Sequence, residues 1–273
     1  MSGNILDLAP PPDGIPLAYG SDPQQFGELR LPTGAAPHPV VVVIHGGYWR
    51  AAYDLKHIGH LCVALTGAGV ATWSLEYRRL GQNGGGWPGT FTDVAAGIDY
   101  LRTVAPQYGM DLSRVVVIGH SAGGQLALWA GGRRRIPAGD ALYTAQPLAV
   151  RGVVGLAAVA DLRQGWALGL SNGVVGDLLG GSPTEVPTRY ATGSPRDLLP
   201  LGLPQRLIHG TADPIVPFTI SEGYTQATHA AGDDARLLPL ADLGHFELID
   251  PRSAAWPTVR DTVLALLNSP AAP

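Results

Sequence analysis

Residues 115–124 read VVVIGHSAGG. Val115, Val116, Val117 and Ile118 form a β-branched run of the kind that is buried on both faces of a parallel sheet, and the run stops at a glycine. Ser121 then stands among small residues where an apolar helical segment, 122–130, begins. Residues 119–123 fit G-x-S-x-G between a predicted strand (114–118) and that helix. In this setting the glycines permit a sharp turn that exposes Ser121 at the carboxyl end of the sheet, near a helix N-terminus. The five-residue pattern is a modest signal alone and a strong one between a strand and a helix. A serine hydroxyl remains a poor nucleophile until a base takes its proton, so the rest of the chain must supply one.

Outward from this turn, strands and helices alternate. PVVVVIHGGYW (39–49) is a second buried strand ending in two glycines; a helix is expected at 54–66 and a strand at 70–75. After the glycine-rich stretch 81–89, Thr90 and Asp93 make a capping-box-like start to a helix whose apolar face is Phe91, Val94, Ala95, Ile98 and Leu101. Further strands are expected at 148–159, 204–210 and 235–240, and helices at 219–230 and 258–267. Such alternation implies an α/β fold with a mainly parallel central sheet and helices on both faces. Residues 1–24, rich in proline near the start, read as an irregular arm, and 25–273 as one domain opening with a short strand at 27–31. The alternation fails over 161–195, which reads as a small lid inserted after a strand, with a meandering loop as the plainer alternative.

Composition narrows the function. The 273 residues are 45% hydrophobic and 15% charged, enough for one substantial core and unlike a disordered chain. The net charge is -4, from 22 acidic and 18 basic residues. The run Arg133, Arg134 and Arg135 reads as a solvated helix end, so neither nucleic acid nor an anionic membrane is indicated as a partner. Cys62, the single cysteine, lies in IGHLCVALTGAG and reads as a buried structural thiol. No basic and apolar leader opens the sequence and no long uncharged apolar stretch follows, which gives the expectation of a soluble, cytoplasmic protein.

Of the eight histidines, His245 is the best placed base. It lies in ADLGHFEL, a loop after the last predicted strand that can fold over the sheet toward Ser121. His45 belongs to a glycine loop, and His120 adjoins Ser121 on a turn where side chains diverge. His57 and His60 lie on an early helix, His38 precedes a strand, His209 ends one, and His229 falls late in a helix. Asp213, in HGTADPIVP just beyond a strand, is the first choice of acid to orient the imidazole. Asp161, also after a strand, stays open as a substitute acid or lid anchor, whereas Asp242 reads as a loop cap and Asp197 precedes the strand.

Negative charge on a reacting carbonyl oxygen needs donors. HGGYW (45–49) offers consecutive N–H groups where Gly46 and Gly47 bend the chain, and the N–H of Ala122 completes a hole. A phosphate-binding turn fails on detail, because neither G-x-x-x-x-G-K-[ST] nor G-x-G-x-x-G follows. Tyr48 and Trp49 wall a pocket or pack the sheet edge; Trp87, Trp166 and Tyr190 suggest an aromatic-walled pocket or ordinary packing. Arg163 reads as solvated, with a substrate carboxylate as the sharper alternative. The histidines lack spacing such as H-E-x-x-H, so no metal site is expected, and no nicotinamide or flavin is required.

HGGYW, GHSAGG, HGTADPIVP and GHFEL, in that order, resemble the α/β-hydrolase family over roughly residues 25–270. The likeness is nearest to arylformamidases, hormone-sensitive-lipase-like carboxylesterases and free-standing relatives of prolyl-oligopeptidase catalytic domains. It implies Ser121 as nucleophile, Asp213 as acid and His245 as base, with Gly47, Tyr48 and Ala122 lending the oxyanion N–H groups. Hormone-sensitive-lipase-like esterases usually carry a third glycine where this chain has Tyr48, and the chain is too short for a propeller domain. The expected activity is acyl transfer to water from a small ester or an N-formyl arylamide. The alternatives are a short-peptide serine peptidase, an acyltransferase, and a non-catalytic hydrolase-fold binding module. Burial of apolar lid residues against a second copy would make a homo-oligomer.

Overall fold

The strand β3, His38–Ile44, shows how the sheet is built. Its alternate side chains enter two separate cores: Val40, Val42 and Ile44 on one face, Val41 and Val43 on the other. A strand sealed on both faces has no use for polar residues, which is why the sequence runs unbroken in valine. In the computed structural model, which describes residues 4–269, β3 lies inside an eight-stranded sheet of order β1-β2-β4-β3-β5-β6-β7-β8. The other strands are β1 (Ile15–Ala18), β2 (Phe26–Arg30), β4 (Ala71–Leu75), β5 (Met110–His120), β6 (Gly152–Leu156), β7 (Gln205–Gly210) and β8 (Ala235–Leu240). Strands β3 to β8 run parallel, and β1 and β2 add antiparallel at one edge. Residues 1–3 of the arm and 270–273 of the domain expected at 25–273 lie outside the described residues.

Helices α1 (Gly59–Gly67) and α9 (Trp256–Asn268) cover one face of the sheet. Helices α2 (Gly89–Asp99), α3 (Leu101–Tyr108), α4 (Ala122–Gly131) and α8 (Phe218–Ala230) cover the other. Residues 161–195 form α5 (Leu162–Ala167), α6 (Leu170–Leu179) and α7 (Pro187–Gly193). Leu162, Val174, Val175, Leu178 and Tyr190 of this segment are buried in the same core as α4. Cys62, on α1, is fully buried, and burial pushes its thiol up to about 11.

From β3 the chain crosses to β4 on one side and later to β5 on the other. The order therefore reverses between β3 and β5, where open α/β sheets form their binding crevices at the carboxyl ends. Ser121 follows β5 at that end.

Three local expectations are corrected. The arm at 1–24 is not wholly irregular: Ile15–Ala18 pairs with β2, but it is a short and mostly exposed edge strand, so no apolar alternation marks it. Thr90 and Asp93 do not cap α2, which starts at Gly89. Thr90 Oγ1 instead donates to the Arg78 carbonyl oxygen, and Asp93 accepts from Arg78 Nε at 2.8 Å and Nη2 at 2.7 Å. Arg133 is not solvated: it is buried and paired with Asp99, unlike its exposed neighbours Arg134 and Arg135.

Candidate active site

Ser121 is held at φ 57° and ψ −118°, a backbone conformation that costs a residue with a side chain of order 1–3 kcal/mol and persists only where the surroundings impose it. They do so from two sides. The Ser121 N–H donates to the Leu156 carbonyl at the end of β6 at 2.8 Å, and its own carbonyl accepts from Gln125 N at the start of α4. Its side chain makes no capping bond to α4, which leaves the hydroxyl uncommitted to the helix. The glycines of the turn have steric reasons: a Cβ on Gly119 would stand 2.0 Å from the Gly123 oxygen, and one on Gly123 would stand 2.2 Å from the Ile44 oxygen. Gly119→Ala is therefore expected to cost about 1–3 kcal/mol through overpacking against backbone. That is a fall in Tm of several degrees for a chain this size. An unchanged thermal melt would show that the turn is not tight there.

Glycine loop 45–49 packs onto this turn. A Cβ on Gly46 would meet Ser121 Cβ at 3.2 Å and the His120 oxygen at 2.8 Å. Gly47, Tyr48 and Trp49 all have positive φ, at 105°, 51° and 55°. The loop is anchored by the buried His45, whose ring stacks on Tyr77 with centroids 4.5 Å apart and whose Nε2 lies 3.0 Å from Glu76 Oε1. Glu76 also accepts from Leu55 N and Tyr77 N and pairs with Arg79. Burial alone would raise its carboxyl; His45 and Arg79 outweigh this and hold it below the ordinary range. Glu76 has no motif of its own; a charged residue directly after the buried β4 is the one sequence signal that marks it.

Asp213 and His245 come together. His245 Nδ1 lies 2.6 Å from Asp213 Oδ2, and both side chains are buried. The other carboxylate oxygen, Oδ1, accepts from Ile215 N at 2.8 Å and Val216 N at 3.0 Å. His209, set aside on position, also reaches Asp213: its Nε2 is 3.1 Å from Oδ2, while its Nδ1 is 2.8 Å from Ser221 Oγ. Both its nitrogens are thus engaged, and it braces the acid. Burial raises the Asp213 carboxyl, but the bonds from His209 and His245 outweigh burial and leave it well below the usual carboxylate range. Asp161, the other acid considered, accepts from Gln164 N to cap α5 and sits 3.5 Å from Arg196.

The tryptophans that the sequence leaves open between a pocket wall and ordinary packing occupy separate settings. Trp49 is a core residue, fully buried with Nε1 donating to Gln125 Oε1 at 3.1 Å. Trp87 packs on Phe91, and Trp166 is exposed on α5; among the described residues no ring contact joins the three tryptophans. Tyr48 spans the site instead, its hydroxyl donating to the Ile215 carbonyl at 3.0 Å and so tying the glycine loop to the Asp213 loop. Arg163 pairs with Asp197 and lies over the Tyr190 ring. A cavity of ≈ 570 Å³ opens beside the loops that carry Asp213 and His245, lined in part by Ala212, Pro214, Ile215, His245 and Phe246. Among the described residues no three His, Cys, Asp or Glu side chains gather closely enough to hold a metal ion. No described helix is long and apolar enough to cross a membrane.

The chain is similar to esterase LipC of Mycobacterium tuberculosis, 28% identical over 251 residues that make up 86% of this chain and 60% of LipC. It is also similar to the isoprenylcysteine alpha-carbonyl methylesterase ICME of Arabidopsis thaliana, 25% identical over 93% of this chain and 61% of that protein. The chain thus spans about 60% of the length of these curated relatives. Esterase B of Lactobacillus rhamnosis superposes with a TM-score of 0.81 at 21% identity, covering 96% of this chain and 89% of the other. A truncated carbohydrate esterase from gut microbiota superposes with a TM-score of 0.78 at 23% identity, covering 93% and 95%. At these identities the two structures speak for the fold, α/β-hydrolase, and not for a substrate. The family model BD-FAE matches residues 28–227, well over half of the sequence, and the chain belongs to this α/β-hydrolase esterase family.

Proposed function

We propose that the chain is a serine hydrolase that cleaves carboxylic esters through an acyl-enzyme on Ser121, with His245 as general base and Asp213 as the acid that orients it. The observation that carries this reading is the 2.6 Å contact of His245 Nδ1 with Asp213 beside the strained Ser121 turn. With Nδ1 committed to the acid, Nε2 is the nitrogen that takes the Ser121 proton as Oγ attacks the ester carbonyl. The N–H groups of Gly47, Tyr48 and Ala122 receive the charge that develops on the carbonyl oxygen. His245 then returns the proton to the leaving alcohol. In the second half it takes a proton from water, whose oxygen attacks the acyl carbon, and gives that proton back to Ser121 Oγ as the acid leaves. Every proton moves between side chain, substrate and water, so the scheme calls on no cofactor.

A small acyl group is the proposed preference. The names of the relatives support esters over amides, while HGGYW, shared in pattern with arylformamidases, supports N-formyl arylamides as the second reading. The test is kcat/KM for p-nitrophenyl acetate, p-nitrophenyl butyrate and N-formylkynurenine side by side. The expected result is at least about tenfold preference for an ester, which is 1.4 kcal/mol of transition-state discrimination. A formamide turned over faster than both esters would move the activity to the arylformamidase reading.

A further inference from the structure

His120, the residue between Gly119 and Ser121, is fully buried, and each of its ring nitrogens has a hydrogen-bond partner. Its Nε2 lies 3.0 Å from the main-chain oxygen of His245, and its Nδ1 lies 3.1 Å from Nε2 of His57. A carbonyl oxygen can only accept, so His120 Nε2 carries the hydrogen. In a neutral imidazole the other nitrogen then has the lone pair, and His57 must donate to it from Nε2. The direction of donation is fixed along the whole chain: His57 to His120 to the backbone of His245. The rings follow the same path, His57 stacked on His120 with centroids 5.3 Å apart and His120 tilted by 49° against His245 at 4.4 Å, with Phe246 against all three. Burial keeps both relay rings neutral, pushing His57 down to about 3 and His120 well below the ordinary histidine value.

We propose that His120, oriented by His57, is a positioning residue for the general base: its Nε2–H holds the His245 carbonyl, so the residue beside the nucleophile fixes the residue that deprotonates it. This rests on the reading of Ser121 and His245 as nucleophile and base. It gives a task to the variable position of the G-x-S-x-G turn. The base loop follows β8 at the far edge of the sheet and Ser121 follows β5 near its middle, so their alignment cannot come from strand pairing. Two hydrogen bonds set the base at two points, Asp213 on the ring and His120 on the backbone. A displacement of the order of 1 Å in such a geometry costs about 100-fold in rate.

The test compares His120→Phe, His120→Gln, His57→Phe and the double variant His57→Phe/His120→Phe with the parent chain, using p-nitrophenyl butyrate. His120→Phe removes the donor and is expected to lower kcat roughly 10- to 100-fold while KM stays within about twofold. His120→Gln places an amide N–H near the position of the imidazole Nε2 and is expected to restore most of the rate. His57→Phe is expected to cost less, and the double variant no more than His120→Phe alone, because the two act in series. A kcat for His120→Phe equal to the parent's, or equal losses in His120→Phe and His120→Gln, would overturn the relay. Nitrogen NMR of the parent chain supplies a readout that does not depend on variants folding: both His57 and His120 are expected as Nε2–H tautomers, and an Nδ1–H tautomer at His120 overturns the proposal. Ser121→Ala separates the two levels, since activity surviving in it sinks the hydrolase reading itself, whereas an inert Ser121→Ala beside a fully active His120→Phe sinks only the relay.

Discussion

Ser121→Ala is expected to lower kcat by a factor on the order of 10⁵ while leaving the fold intact. The change removes one oxygen from a turn whose backbone is set by its neighbours: the bond to Leu156 and the close approach of Gly119 to Gly123 do not involve the hydroxyl. Alanine suffers the same strain as serine at φ 57°, so Tm should stay within a few degrees. The measurement is turnover of p-nitrophenyl butyrate together with a thermal melt. Turnover close to that of the parent would remove Ser121 from the mechanism, and a collapsed melt would mean that the hydroxyl has a structural task that the geometry does not suggest.

Asp213→Asn is expected to cost about 10⁴ in kcat. The carboxylate has four donors on its two oxygens: two ring nitrogens on Oδ2 and two backbone N–H groups on Oδ1. An amide can present only one oxygen; its NH₂ must then face either the imidazoles, donor against donor, or the backbone N–H pair. Facing the imidazoles, it favours the wrong His245 tautomer. The loss of acceptors should also destabilise the chain by roughly 1–3 kcal/mol, with a definite pH signature. The folded Asp213 carboxyl lies below its ordinary value, so the stability it contributes is complete above about pH 4, the unfolded carboxylate value, and drains away as pH falls toward the folded one. The Tm gap between parent and variant should therefore shrink on acidification below about pH 4. Asp161→Asn, whose carboxylate caps α5, is the control expected to keep most activity. Near-normal turnover in Asp213→Asn with collapse in Asp161→Asn would transfer the acid to Asp161.

The sheet and most helices were legible because burial leaves a one-dimensional trace. The valines of β3 and β5 and the spacing Phe91, Val94, Ile98 each report one face of a regular element. What escaped was set by partners distant in sequence. The edge strand Ile15–Ala18 exists because β2 offers an open edge, and Asp93 turned from a cap into the partner of Arg78. Trp49 was open between pocket wall and packing, and Gln125, on a different element, decides for the core. The site divides in the same way. Loop positions placed Ser121, Asp213 and His245 at one end of the sheet, but neither the 2.6 Å contact across 32 residues nor the bracing of Asp213 by His209 is written in local pattern. His120 shows the limit best: adjacent side chains on a turn do diverge, and that divergence is what carries its ring to the His245 backbone.

The sealed state of Cys62 has a practical consequence. Only a thiolate reacts with alkylating reagents, and this one is both sheathed by the core and held protonated at neutral pH. Because it is the single cysteine in this sequence, the folded chain offers no reactive thiol. Modification of Cys62 then reports transient opening of α1 from the sheet, at a rate proportional to the population of open molecules. A cysteine introduced at the exposed Trp166 would, conversely, be the sole labelled site, so a spin label or fluorophore there would follow α5 during turnover without any background to subtract.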